Sequence, residues 1–388
     1  MIVISDKSKC CGCTACVNAC PAQCIVMRRD REEGFDYPVA NPDRCIGCGK
    51  CDAVCPVKNQ YAASEPLTAM AVRCEEYVGG SSSGGVFPAL AKVVMDEGGV
   101  VFGAVMERDL IVGHAEAETM EEVQRMRGSK YVQSDPYSSY MDTEQYLKDG
   151  RKVLFSGTPC QIAGLKHYLA KDYDNLLTVD TACHGVPGPG LWEMYMKSLQ
   201  DRAHSEIASV RFRDKSRGWR HYAMTCFGPE GQVVRSVSAE DDPYMALFMQ
   251  GMTLRPSCYA CQAREGRSGS DITLADLWSV ASSVPEMNDD IGVSGVMVNS
   301  EKGRAYMSRI KAEFVREVQV EAVMVENGGF SKSHPVPEKR EEFFKGLGVA
   351  GVDVYGHLKK YVIRRPLPVR LYRKVRSVLS AMKRRVIK

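Results

Sequence analysis

The chain has 388 residues, of which 51 are Lys or Arg and 48 are Asp or Glu, for a formal net charge of +3. With 44% hydrophobic and 26% charged residues it has the balance of a globular protein that can bury a sizeable core, which excludes collagen-like and wholly disordered classes. Sixteen cysteines point to metal or redox use in a reducing compartment and against a disulfide scaffold. Met1 to Ile4 is too short an apolar stretch for a secretory leader, and no run of 18 apolar residues marks a membrane span.

The first sixty residues carry one cysteine pattern twice. Cys10, Cys13, Cys16 and Cys20, followed by Pro21, return 35 residues later as Cys45, Cys48, Cys51 and Cys55, followed by Pro56. This is the bacterial-type two-cluster ferredoxin run, in which the fourth thiolate of each copy crosses to the other cube. Carried over, Cys10, Cys13, Cys16 and Cys55 hold one 4Fe–4S cluster, and Cys45, Cys48, Cys51 and Cys20 hold the second. Cys11 and Cys24 align with Ile46 and Asn59 and so fall outside the repeated role; they read as small residues buried beside the clusters. Gly12 and Gly47 precede the second ligand of each copy, where backbone passes close to the cube. Two zinc ribbons are the competing reading, but zinc sites separate their cysteine pairs by a longer spacer.

A polar link over 59–66 leads to a body that reads as alternating helices and strands. The spacing predicts a helix over 84–97 with Phe87, Leu90, Ala91 and Val94 on one face, a buried strand over 100–105, and a helix over 119–127. A second segment begins near Arg151, with strands at 153–155 and 176–179, a turn at 156–159 and a helix over 161–169. The Pro- and Gly-rich 184–190 leads into a helix through Trp192 and Tyr195. The fold class is α+β or mixed α/β: a ferredoxin-like module over 1–62, a mixed-sheet body in two parts (66–150 and 151–345), and a basic tail over 359–388.

Four more cysteines stand on loop-like segments of the body: Cys160 in Gly-Thr-Pro-Cys-Gln, Cys183 before His184 and Gly185, and the C-x2-C of Cys258 and Cys261. Four thiolates on loops can converge on one metal centre; buried apolar thiols, a zinc half-site or a redox pair fit the same spacing. Ser81 to Gly85 opens the first body helix, where glycine-rich backbone and hydroxyls suit either a phosphate or a plain cap. No G-x-G-x-x-G occupies a strand-to-helix turn, so a Rossmann dinucleotide site is unsupported.

Taken together, these segments resemble the coenzyme F-420 hydrogenase/dehydrogenase beta-subunit family, in its version fused to a two-cluster ferredoxin. The resemblance runs from Cys10 to about Gly303 and rests on Ser83-Gly84-Gly85-Val86, residues 128–134 (GSKYVQS), residues 157–161 (GTPCQ), residues 183–187 (CHGVP), Arg213-Asp214-Lys215 with Gly218-Trp219, Cys258 to Cys261, residues 270–278 (SDITLADLW), and Gly292-Val293-Ser294 with Val298-Asn299. Ala275 and Ser279 stand where the family motif tends to have glycine. The resemblance implies a flavoprotein that binds FAD and relays electrons between a hydride carrier and iron–sulfur clusters. It makes Cys160, Cys183, Cys258 and Cys261 the ligands of a third 4Fe–4S cube and Ser82, Ser83, Gly84 and Gly85 the pyrophosphate cradle. Ser129, Lys130, Tyr131, Arg213, Lys215 and Asp276 are further flavin-contact candidates, and Lys130 and His184 are candidates for charge compensation and proton transfer. On residue type alone each of these also reads as an ordinary surface, turn or capping residue.

The last thirty residues hold twelve Lys and Arg and no acid, so the 48 acidic side chains outnumber the 39 basic ones elsewhere. Tyr372, Val375, Leu379, Met382 and Val386 recur at helical spacing among these bases, a basic amphipathic helix suited to an anionic membrane surface, an acidic partner or the protein's own acidic body. Nothing in the tail points to nucleic acid. The expectation is a cytoplasmic oxidoreductase, or one peripheral at the inner face of the membrane. It passes electrons between a ferredoxin-type or other redox partner protein and a hydride-carrying small molecule, which is the deazaflavin F-420 or another acceptor. The alternative is a non-catalytic electron-transfer subunit that feeds a partner enzyme, with some relatives linked to cell-surface polysaccharide synthesis.

Overall fold

The computed structural model describes residues 1–327 and 329–364. The candidate tail helix from Tyr372 onward lies outside the described residues, and Lys359 to Tyr361 end the helix Val354–Tyr361.

The 35-residue repeat reappears as backbone. Gly12 (φ +71°) and Gly47 (φ +68°) both take the left-handed conformation open to glycine. Thr14 and Gly49, also left-handed, start the matching short helices Ala15–Asn18 and Lys50–Ala53. Between the copies, β1 (Ile25–Arg29) and β2 (Asp36–Ala40) form an antiparallel hairpin in the register Ile25↔Ala40. The module's own core is small, built on Ile2, Cys16, Cys24, Ile25 and Cys51. Cys13 and Ala15 pack outward into the body against Tyr140, Ile162 and Leu165.

Among the described residues the body has eleven strands: β3 (Thr68–Arg73), β4 (Val100–Met106), β5 (Val112–Ala117), β6 (Val153–Ser156), β7 (Leu176–Thr181), β8 (Ser209–Asp214), β9 (Ala223–Phe227), β10 (Val233–Ser238), β11 (Ile272–Asp276), β12 (Ser294–Val298) and β13 (Phe314–Val318). Eight of them form one mixed sheet in the order β13-β3-β12-β11-β7-β6-β4-β5. The run β4, β6, β7, β11 is parallel, and the pairs at either side of it are antiparallel. Strands from both sides of Arg151 share this sheet, so the boundary expected there divides the chain and not the sheet. The fold class is mixed α/β, with the ferredoxin-like region at the N-terminus.

Alternation in the strands decides the layers. Val101, Leu154, Leu177 and Val179 face the layer of the helices Val86–Met95, Met120–Met126 and Glu301–Met307. Their neighbours Val100, Phe102, Val153, Phe155 and Leu176 face the opposite layer of Ser139–Lys148 and Pro159–Leu169. A second sheet, β10-β9-β8, packs with the helices Pro189–Ala203, Pro243–Met249, Arg340–Leu347 and Val354–Tyr361.

The expected helices and strands recur with shifted ends. The 84–97 helix is Val86–Met95, because Gly85 (φ +87°) turns the chain into it and Gly98 (φ +70°) turns it out. The turn expected at 156–159 is shorter: Pro159 and Cys160 already belong to the helix Pro159–Leu169. Proline at the first helical position presets φ, and Thr158 and Gln161 form a reciprocal capping box that completes the start. Cys258 likewise stands in the 3-10 turn Pro256–Ala260 and not in an open loop.

Leu90 is fully buried between the helix Val86–Met95 and the sheet. Leu90→Ala should destabilise the body by about 3 kcal/mol, read as a lowered thermal unfolding midpoint.

Candidate functional site: three thiol sites and a cleft

The carboxyl ends of β6, β7 and β11 lie along one edge of the sheet, which is where open α/β sheets place their ligands. The segment after β6 carries Cys160, the segment after β7 carries Cys183, and β11 ends on Asp276. β3 runs in the same sense as β11, since each is antiparallel to β12, so Ser81 to Gly85 arrives at this edge too.

One cavity at that edge is lined by Cys160, Cys183, Cys258 and Cys261, the four cysteines that the resemblance grouped. Cys11 lines it as well, together with Ser8, Pro56 and Val57 of the ferredoxin-like module. The Cys11 thiol therefore stands between Cys13 on one side and Cys160 on the other, at the junction of two sites. Burial, then the neighbouring thiols Cys258, Cys160 and Cys261, push the Cys183 thiol up; burial first, then Cys261, pushes Cys258 up to about 12. Four thiols that resist ionisation because they crowd one apolar hole are the donor set a cationic iron centre would ionise.

The ferredoxin-like module holds the other eight. Burial drives the Cys16 thiol up to about 12, with Cys10, Cys55 and Cys51 the next causes, so thiols of both copies of the repeat stand near it. A separate cavity is lined by Cys20, Cys45, Cys48 and Cys51, with Cys24 beside them. Cys24 Sγ is 3.4 Å from Cys20 Sγ. The two sites differ in setting: Cys10, Cys13 and Cys16 are buried and Cys55 is half-buried, whereas Cys48 is exposed, Cys20 and Cys45 are half-buried and only Cys51 of that set is buried. Among the described residues no three His, Cys, Asp or Glu side chains close on a point that would hold a single metal ion.

A larger cleft, with about 1910 Å³ of empty space including its open mouth, shares Cys160 and Cys183 with the body thiol cavity. It is lined by Ser81, Ser82, Ser83, Gly85, Ser129, Lys130, Tyr131, His184, Arg213 and Asp276, which brings together most of the candidate flavin residues. Ser82 Oγ accepts from the Ser129 backbone N–H at 2.7 Å and so ties the two loops. Ser83 Oγ donates to the Val293 carbonyl. Gly84 and Lys215 do not line the cleft: the Gly84 N–H donates to Ser294 Oγ, and Lys215 Nζ donates to the carbonyls of Val78 and Ile291 behind the serine loop.

Lys130 Nζ donates to the carbonyls of Arg125, Met126 and Arg127 at the end of a helix, which suits the three donors of an ammonium. Burial opposes that charge and brings its pKa down to about 7. Arg213 is fixed by both Asp276 oxygens at 2.8 and 3.2 Å, and its guanidinium lies over the Tyr222 and Trp278 rings. The bulge between Arg211 and Asp214 in β8 turns this side chain toward the cleft. Trp219 Nε1 donates to the same carboxylate, so Asp276 is occupied by protein partners. His184 Nε2 donates to the Phe248 carbonyl, and burial holds its pKa down at about 4, so it is neutral at ordinary pH.

Residue patterns gave no sign of His114. It is buried in the cleft wall with Nε2 at 3.0 Å from the Ser156 carbonyl. A carbonyl only accepts, so Nε2 carries the proton and Nδ1 is a bare acceptor with no partner among the described residues. Ser81 Oγ, Arg127 Nε and Arg213 Nε are also buried in this wall without partners among the described residues. His114 is a β5 residue whose only sequence signal is a histidine in an apolar strand, and that pattern usually marks a satisfied core residue.

Two segments of the chain match known protein families. Residues 9–59 match the 4Fe-4S dicluster domain. Residues 150–322 match the C terminus of the coenzyme F420 hydrogenase/dehydrogenase beta subunit. Among solved structures, a chain of the F420-reducing [NiFe] hydrogenase complex from Methanosarcina barkeri, studied by xenon derivatization, aligns with 15% identity and a TM-score of 0.44. The alignment covers 77% of this chain and 91% of that one. No curated protein matches the chain.

Two predictions follow the geometry. Asp276→Ala strips a buried guanidinium of its counter-charge and should cost about 3–5 kcal/mol, against about 0.5 kcal/mol or less for exposed Asp172→Ala, by thermal unfolding. Burial lowers the pKa of His114 from 6.5 to about 4, so its contribution to stability is complete above pH 6.5 and falls away as pH drops toward 4. His114→Gln should flatten the stability–pH profile over that window by about 3 kcal/mol.

Proposed function

We propose that this chain, which joins a 4Fe-4S dicluster domain to the C-terminal domain of the coenzyme F420 hydrogenase/dehydrogenase beta-subunit family, is an oxidoreductase. In this reading it binds FAD in the cleft and three 4Fe–4S clusters at the thiol sites, and it carries electrons between a hydride-carrying small molecule and a redox partner protein. The observation that carries this reading is the shared wall: Cys160 and Cys183 border both the cleft and the body cavity, and that cavity abuts the ferredoxin-like module.

The cleft fits a large polar cofactor by its donors. Buried Ser81 Oγ, His114 Nδ1, Arg127 Nε and Arg213 Nε have no partner among the described residues, and a buried polar group left that way is costly. Ser81, the Ser129 loop and the helix start at Val86 would take the pyrophosphate; His114 Nδ1 would accept from a ring or sugar donor. A bound flavin takes two electrons as hydride and can release them singly.

The chain's own residues do the rest. Arg213 and Lys130 supply positive charge where the reduced ring system would be negative, and Asp276 holds Arg213 in place. With a pKa brought to about 7, Lys130 can gain or lose a proton at ordinary pH, whereas His184, held neutral and bonded to Phe248, orients the wall beside Cys183. The thiol sites fit cubes by donor set: four cysteines each, with one set half-open to solvent at Cys48 and suited to exchange with a partner. No described helix is long and apolar enough to cross a membrane.

Protein purified without oxygen should contain about twelve irons and one flavin per chain, and Cys183→Ser should leave about eight irons. Full iron without flavin would instead favour the non-catalytic electron-transfer subunit.

A further inference from the structure

Five arginines are buried among the described residues: Arg73, Arg213, Arg255, Arg264 and Arg340. Three have a carboxylate in contact, Arg73 with Asp289, Arg213 with Asp276 and Arg340 with Glu33. Arg255 and Arg264 have none among the described residues, and both stand against the cysteine sites. A guanidinium keeps its charge in any protein setting, and a buried charge without a counter-charge is strongly disfavoured. The compensating negative charge must come from what these two arginines touch.

Arg255 is the more closely defined. It is 1% exposed, and its guanidinium spans the seam between the body and the ferredoxin-like module. Nε donates to the Cys10 carbonyl at 2.7 Å, Nη2 to the Asp36 carbonyl at 2.9 Å, and Nη1 to Gln133 Oε1 at 2.8 Å. Nη2 also lies 3.6 Å from Cys10 Sγ. Two aromatic faces close the site, with the guanidinium carbon 4.3 Å from the Tyr37 ring centre and 5.4 Å from that of Phe35. Gly12 fits only because it lacks a Cβ, which would stand 2.8 Å from Arg255 Nη1. Among the described residues, every partner of this cation is neutral except a thiol assigned as a cluster ligand. Three residues on in the chain comes Cys258, a ligand candidate of the body site.

We propose that Arg255 is the buried counter-charge of the junction cluster: it raises the reduction potential of the cube held by Cys10, Cys13, Cys16 and Cys55, and so keeps the relay between body and module open. This rests on the ligand assignment given above. Reduction adds one electron to the cube, with no bond broken and no proton required, so the site gains one negative charge. Burial against the body opposes that gain, since water no longer solvates it. A guanidinium hydrogen-bonded at the thiolate offsets the loss and favours the reduced form. Without it, burial would set this cube below its neighbours in potential and raise a barrier in the middle of the relay. Cys48, by contrast, is exposed, so water does the same work at the outer site.

The test is a potentiometric titration of the anaerobic full-length protein with dithionite as electron donor, followed by electron paramagnetic resonance. The junction cluster is the signal altered by Cys16→Ser. Arg255→Gln removes the charge and keeps a donor amide. Gln133→Glu leaves Arg255 in place but gives it a carboxylate at the atom it already bonds. Both should lower the reduction equilibrium of that signal tenfold or more, ~59 mV for one electron, while Arg255→Lys stays near wild type. If Arg255→Gln cannot load iron, Gln133→Glu and Arg255→Lys decide alone. Wild-type iron content with an unchanged or raised midpoint in the charge-cancelling variants overturns the inference. Absence of any signal sensitive to Cys16→Ser overturns the ligand assignment beneath it.

Discussion

The parallel pairing of β6 with β7 and of β7 with β11 determines where the chemistry of this protein can go. Parallel strands point their carboxyl ends the same way, so the segments that leave them emerge side by side. Cys160, Cys183 and Asp276 reach one edge for that reason, although more than a hundred residues separate the first from the last. The same pairing buries both faces of the central strands, and successive side chains of β6 and β7 point alternately to the two helix layers. The cleft is what remains at the edge where the helix layers stop.

Docking of the N-terminal module completes the arrangement. Cys13 and Ala15 enter the same apolar cluster as Phe155 and Ile162, so hydrophobic burial brings the module's first thiol site onto the body's own. The result is a contrast in exposure: Cys10, Cys13 and Cys16 are buried, the four body cysteines are half-buried around their cavity, and Cys48 is exposed. Charge follows that contrast. Where water is excluded, buried Arg255 and Arg264 stand beside the sulfur sites without carboxylate partners among the described residues. Where water reaches, none is needed. In the cleft, Arg213 and Lys130 are instead held by Asp276 and by a helix end, which fixes their positions before any ligand binds.

Local sequence determined local structure well, because the signals were covalent or short in range. The 35-residue repeat set two matching turns, each with a left-handed glycine ahead of a four-residue helix. The continuous apolar runs at 100–105 and 153–155 set the strands, and Pro159 with its capping pair set a helix start more sharply than apolar spacing did. The iron–sulfur character of the first sixty residues was legible for the same reason: ligand spacing within one turn of chain is a local constraint.

Tertiary structure alone decided three things. It put Cys11, unmatched in the repeat, at the body thiol cavity between Cys13 and Cys160, because only the packing of the module against Ile162 and Leu165 brings that loop there. It placed Lys215 behind the serine loop and His114 in the cleft wall, since neither residue's direction is set by its neighbours in sequence. It also gave Arg255 its place at Cys10, a contact across 245 positions. Sequence patterns report periodicity and turn chemistry over a few residues; which distant side chain ends up beside a buried sulfur is settled by how the sheet and module pack, where close packing and the cost of unpaired charge act together.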